Sequence, residues 1–182
     1  MLSSDVLVPP GVLAASRVCY REDAIYCPMT IDLASSMEYC GPHRVFPMPW
    51  FLYMPRRVAV DAGGWDEAYL RGSCWEDNDF VGRIALEAGR ILCDWGSICW
   101  HYSHEQPAYR NETAIQVSNN RNRVYTMDKW TGIPFSTPDV LAFEMGRGRD
   151  EATGHISLAF KDVKGIKQRV FDRTESPFVV VG

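Results

Sequence analysis

The strongest constraint on the fold is the run from Asn78 to His101, where a helix pattern gives way to a strand pattern. Phe80, Ile84 and Ala88 fall on one helical face with Val81 and Ala85, and Gly89 stands where a C-terminal cap belongs. Ile91 to His101 then reads as a strand of aromatic and small residues. The preceding chain adds a short strand end over Ser4 to Val8, stopped by Pro9-Pro10-Gly11, a helical run from Val12 to Val18 and a strand from Ala24 to Met29. Asp32 to Pro49 reads as a surface loop, long enough to suggest a binding function. Trp50 to Met54 has the length of a strand, Arg56 to Asp61 that of a helical turn, and Gln116 to Trp130 reads as a further helix. Strands alternating with helices predict an α/β layered domain with a mixed sheet. After Ile133 the breakers Pro134, Pro138, Gly146, Gly148 and Gly154 obscure the pattern, apart from a closing strand expected at Phe178 to Val181.

The 182 residues suit one domain, and 46% hydrophobic with 23% charged residues is an ordinary globular balance. The net charge of -4 is spread along the chain, and no Lys/Arg block marks a nucleic-acid surface. No apolar run approaches the roughly 20 residues of a membrane-spanning helix, and Met1 to Asp5 lacks a signal-peptide layout. A cytoplasmic location is the expectation. The six cysteines show no two-residue spacing typical of zinc or redox motifs, so they read as free core thiols.

Trp75-Glu76-Asp77-Asn78-Asp79 places three carboxylates within four positions at a helix start. Capping and the helix dipole explain one or two acids there. Three together repel one another, which is more often tolerated where the charge is used. Sugar transfer to a hydroxyl would use such a group: a base takes the hydroxyl proton, other carboxylates bind sugar hydroxyls, and Trp65 or Trp75 offers a stacking face. Gly63-Gly64 would let backbone approach a ligand closely.

Taken together, Gly63-Gly64-Trp65-Asp66-Glu67, then Trp75-Glu76-Asp77-Asn78-Asp79-Phe80 and Arg83, resemble the paired signature of family-two and related inverting glycosyltransferases. The galactosyltransferase-type C-terminal domains share it. The resemblance implies Asp77 as the catalytic base. It implies Gly64, Trp65, Trp75, Glu76 and Asp79 on the acceptor side, the two acids binding acceptor or supporting the site, and Arg83 on the donor side. Asn119 to Arg123, Tyr125 and Lys129-Trp130 resemble the family's Arg/Asn-rich helix and closing Lys-Trp pair, and also read as a solvated polar face.

Two histidines, His101 and His104, end the expected strand; on spacing alone such a pair is a weak metal signal. The resemblance implies His101, with His104 as the alternative, as ligand to a divalent cation, Mn²⁺ or Mg²⁺, that holds the nucleotide diphosphate. Ser3-Ser4-Asp5, followed by apolar residues and proline, is similar to the family's Asp-x-Asp stretch with Ser3 at the first acid. Asp5 would be the second ligand, or else part of an ordinary strand cap. His43 and His155 receive no role.

The resemblance covers about Leu2 to Gly132 and implies a partial GT-A domain without the N-terminal nucleotide-binding βαβ half. Residues 1–132 would form a glycosyltransferase-like acceptor half and 133–182 an extension of unassigned role. Three readings follow: an inverting glycosyltransferase using a nucleotide-sugar donor and a glycan or other hydroxyl acceptor, its missing half lost by truncation or splitting or supplied by another chain; a non-catalytic carbohydrate-binding remnant; and a structural or assembly module.

Overall fold

The computed structural model describes residues 5–43, 47–71, 75–102, 112–131, 145–160 and 165–175. Its centre is a mixed sheet of six strands: β1 (Val6–Leu7), β2 (Ile25–Asp32), β3 (Glu38–Tyr39), β4 (Ile91–His101), β5 (Met145–Arg149) and β6 (Ile156–Phe160). The order is β3-β2-β4-β6-β5, with β1 also paired to β4. β2 and β4 are parallel, whereas every other pair is antiparallel. β6 takes the beginning of β4, at Ile91 to Cys93, and β1 takes its end, at Trp100 and His101.

Among the described residues, five α-helices accompany the sheet: α1 (Pro10–Val18), α2 (Arg56–Asp61), α3 (Glu76–Ala88), α4 (Glu112–Lys129) and α5 (Ile166–Asp172). A proline opens α1, where a missing N–H costs no helical hydrogen bond. α3 ends at Gly89, whose φ of 92° is a conformation that residues with a Cβ rarely adopt. Because only Gly89 and Arg90 separate α3 from β4, the helix runs back across the sheet. Phe80, Val81, Ile84, Ala85 and Ala88 accordingly pack in one core cluster with Ile25, Cys27, Ile91 and Cys93. Among the described residues, no helix is long and apolar enough to cross a membrane. The five described cysteines, Cys19, Cys27, Cys40, Cys93 and Cys99, are free and buried.

Several elements differ from the expectations. β2 continues to Asp32, and β3 folds back on it inside the stretch read as a surface loop. Trp50 to Met54 contributes isolated bridges at Phe51 and Tyr53, the latter antiparallel to Tyr26, rather than a strand, and Phe51 and Leu52 are buried. The β2–β4 register slips between Pro28 and Met29, leaving Trp95, Gly96 and Ser97 as extra residues on β4. Pro28 has no N–H to give the ladder, and the Asp94 carboxylate closes the bulge by accepting the Gly96 amide at 2.9 Å. The C-terminal segment supplies β5, β6 and α5, and β6 joins the same sheet. The strand expected at Phe178 to Val181 lies outside the described residues.

Candidate functional site

The three acids at the start of α3 have three different fates. None occupies the cap position, which belongs to Trp75 and has no side-chain cap bond. Trp75 sits at a φ of 78°, an uncommon conformation for a bulky residue, and its indole donates to the Asn119 side chain. Asp79 turns inward, four residues before Arg83, and both side chains are closed to solvent. The Arg83 guanidinium donates to Asp79 at 2.7 Å, to the Gly64 carbonyl at 2.7 Å and to the Ala62 carbonyl. Lys129 Nζ reaches Asp79 Oδ1 at 3.0 Å, and the Trp130 indole donates to the same oxygen at 2.8 Å. Asp79, expected to bind acceptor or support the site, and Arg83, expected on the donor side, are paired with each other, with Lys129 and with the backbone of the glycine turn.

Glu76 and Asp77 are left at the surface end of the helix, half-buried. Burial, joined by the neighbouring Glu76 charge, pushes the Asp77 carboxyl up to about 7. Burial also raises Glu76, whose Oε2 is enclosed without a hydrogen-bond partner among the described residues. Trp65, 38% exposed, stacks on Phe80 of the same helix with ring centroids 4.4 Å apart. Gly63 and Gly64 both have positive φ, 78° and 66°, which this turn requires.

Beneath the turn lies a residue for which no role was read from the sequence. Asp66 Oδ2 meets Lys129 Nζ at 2.5 Å and accepts from the Tyr125 hydroxyl at 2.8 Å. Its Oδ1 accepts from the Ala68 and Glu175 amides, each at 3.0 Å. Burial alone would raise this carboxyl, but the Lys129 charge and these hydrogen bonds hold it below the usual value. Lys129 and Trp130 of α4 are wholly buried, so this end of the polar helix is not a solvated face.

The second cluster forms at the end of β4. Antiparallel pairing of Val6 with His101 brings Asp5 beside the imidazole, with Asp5 Oδ2 3.4 Å from Nε2. Asp32 closes β2 directly alongside, and its Oδ2 lies 2.8 Å from His101 Nδ1. Trp50 covers the ring, stacked at 4.1 Å and 9°. Asp5 and His101 therefore converge although 96 positions separate them. A carboxylate oxygen and an imidazole nitrogen make a mixed set suited to a divalent cation such as Mn²⁺. Among the described residues, no group of three or more His, Cys, Asp or Glu side chains is arranged to hold a metal ion. Such a cation would need further oxygens from a ligand or water. His104 lies outside the described residues.

β2 and β4 are parallel, and both Asp32 and His101 stand at carboxyl ends, where α/β sheets bind ligands. At the opposite end, near the bulge, Cys19 Sγ lies 3.2 Å from His155 Nε2, and Asp94 accepts the Tyr26 hydroxyl at 2.8 Å. Burial and the Asp94 charge push the Cys19 thiol up, which disfavours a nucleophilic thiolate there. Asp32 and Trp50 were missed in the sequence because their partner lies 69 and 51 positions away; the β2–β4 register joins Asp32 to it, and Trp50 reaches it only by ring stacking.

The chain matches no protein-family model, no curated protein and no solved structure.

Proposed function

We propose that this chain is the acceptor-side domain of an inverting, nucleotide-sugar-dependent glycosyltransferase of GT-A type. The observation that carries the reading is the half-buried Glu76–Asp77 pair at the start of α3, the helix whose Phe80 stacks on the exposed Trp65. The signature that resembles the family supports it, as does the carboxyl of Asp77, balanced between its two protonation states near neutral pH.

In this reading the acceptor sugar stacks on the exposed face of Trp65, and the enclosed Glu76 carboxyl binds one of its hydroxyls. Asp77 removes the proton from the attacking hydroxyl as its oxygen bonds to the anomeric carbon from the face opposite the diphosphate. The bond to the diphosphate oxygen breaks in the same step, which inverts the configuration. Asp5 and His101 would hold a divalent cation whose charge offsets that building on the departing diphosphate. Arg83 and Asp79 act only through structure, by fixing the Gly63–Gly64 turn against α3.

The test is titration of the chain with a panel of nucleotide sugars in Mn²⁺, followed by transfer assays on a glycan panel. Asp77→Asn should lower transfer by about 10²-fold or more while leaving donor binding unchanged. Failure of every nucleotide sugar to bind would sink transfer by this chain alone, and failure of every glycan to bind as well would sink the acceptor-side reading. A second reading, a carbohydrate-binding domain without transfer, draws on the burial of Asp79 and Arg83 within the core. Glycan-array binding that needs no donor and is lost in Trp65→Ala would favour it.

A further inference from the structure

The first turn of α3 is anchored on both sides, and both anchors come from α4 and the residue that follows it. On the far side Asp79 is fixed by Lys129 Nζ at 3.0 Å and by the Trp130 indole at 2.8 Å, beside its bond from Arg83. On the near side Trp75 is fixed by Asn119, whose side-chain oxygen accepts the indole N–H. Asn119, Asn122, Thr126 and Lys129 stand three or four positions apart and so lie along one face of α4. The middle of that face meets Tyr69: the Asn122 amide donates to its carbonyl at 3.3 Å, and the Thr126 and Tyr69 hydroxyls are 2.6 Å apart. Glu76 and Asp77 sit between the two anchors, half-buried.

The near anchor holds a conformation that the backbone resists. A φ of 78° places Trp75 in the left-handed region, which is costly for a residue with a Cβ. No side chain caps the helix there, yet the Trp75 carbonyl accepts the Asp79 amide at 3.1 Å and so opens the helix. A single hydrogen bond is of the same order as this strain. We infer that Asn119 is a positioning residue for the Glu76–Asp77 pair: by accepting the Trp75 indole it holds the left-handed residue that starts α3, and so keeps both acids in the half-buried first turn. Its catalytic meaning rests on the reading of Asp77 as the base, whereas the positioning can be measured without any substrate. Without the Asn119 oxygen, Trp75 relaxes to a negative φ and the turn frays from its leading end. Asp79 stays with Lys129 and Arg83, so Glu76 and Asp77 are the acids released. Burial first, and the Glu76 charge second, hold the Asp77 carboxyl up near 7, and both weaken as the turn opens to water.

The test is the titration of the Asp77 carboxyl, followed by ¹³C NMR on the full chain. It should lie near 7 in the wild type and nearer 3.8 than 7 in Asn119→Leu, which has no acceptor. Trp75→Phe keeps a ring, removes the donor and should give the same fall. The double variant should fall no further than either single one, because the same hydrogen bond is lost in all three. Asn119→Asp keeps an acceptor oxygen and should stay near 7 or above. A wild-type Asp77 that already titrates near 3.8 would overturn the inference without any variant. So would an Asn119→Leu titration equal to the wild type's, additive shifts in the double variant, or an Asn119→Asp that falls as far as Asn119→Leu. Should Asn119→Leu unfold, Trp75→Phe against the wild type decides alone. A chain that shows the expected titrations but binds no glycan keeps Asn119 as the anchor and loses the acceptor-side reading.

Discussion

Asp77 is placed where its own charge is disfavoured, and that can be measured without knowing a substrate. Burial first, and Glu76 second, raise its carboxyl from the ordinary 3.8 to about 7. The sign follows from linkage: a carboxyl whose folded value is raised destabilises the folded state when it ionises. The penalty begins as pH rises past 3.8, grows to about 7 and is constant above. Asp77→Asn removes it, so the variant should melt at higher temperature than the wild type at pH 8, and the difference should vanish below pH 4. Equal melting temperatures at both pH values would show that Asp77 is well solvated. As a general base, the same residue predicts transfer that rises with pH through about 7 and then levels off. Lys129 shows the opposite dependence on charge. It is wholly buried between Asp66 and Asp79, and Lys129→Met would leave both carboxylates without its cation. Breaking such a buried pair from one side costs about 3–5 kcal/mol, readable as a lower midpoint in urea denaturation.

At the scale of elements, α3 carries Glu76 and Asp77 at its start, and its exit depends on one glycine. A Cβ at Gly89 would find room, since the nearest atom it would meet is the Asp23 carbonyl oxygen at 3.8 Å. The cost of Gly89→Ala therefore comes from the positive φ, about 1–2 kcal/mol, and should appear as a shifted denaturation midpoint with an unchanged slope. This element was legible in the sequence because its periodicity and its stop signal both lie within it. The same holds for the helices at Pro10 and Arg56 and for the bounds of β4. β5 reads Met-Gly-Arg-Gly-Arg and carries no strand signal of its own; pairing with β6 makes it a strand. The acidic cluster was legible as a cluster but not its division, because the inward turn of Asp79 depends on Arg83 and on Lys129, 50 positions away. Asp5 and His101 could be nominated from the resemblance alone, whereas Asp32 needed the sheet register to be known.

Across the whole molecule, the C-terminal segment is tied into the domain at many points, and two of them lie on elements named above. One is the β6 pairing with Ile91 to Cys93, the beginning of the strand whose far end carries His101. The other lies at the glycine turn, where the Glu67 amide donates to the Glu175 carbonyl at 3.0 Å and the Glu175 amide returns a bond to Asp66. Tyr125 joins both sides by donating to Asp66 and to the Arg173 carbonyl at 2.7 Å, and Arg173 pairs with Asp128 of α4. Asp66, Lys129, Asp79 and Arg83 thus form a continuous polar network from the C-terminal segment through α4 to the start of α3. A chain ended after Thr131 would lose one of the Asp66 hydrogen bonds and leave an edge of β4 without its partner. Leu158 and Val170 would also leave the core. An unpaired strand edge is a template for association, and a buried network that has lost a member costs more than one never built. The shortened chain should therefore lose its cooperative thermal transition and associate at micromolar concentration, as seen by calorimetry and light scattering. A sharp, concentration-independent melt would instead show that residues 132–182 are a separable addition and that the Asp66 network closes without them.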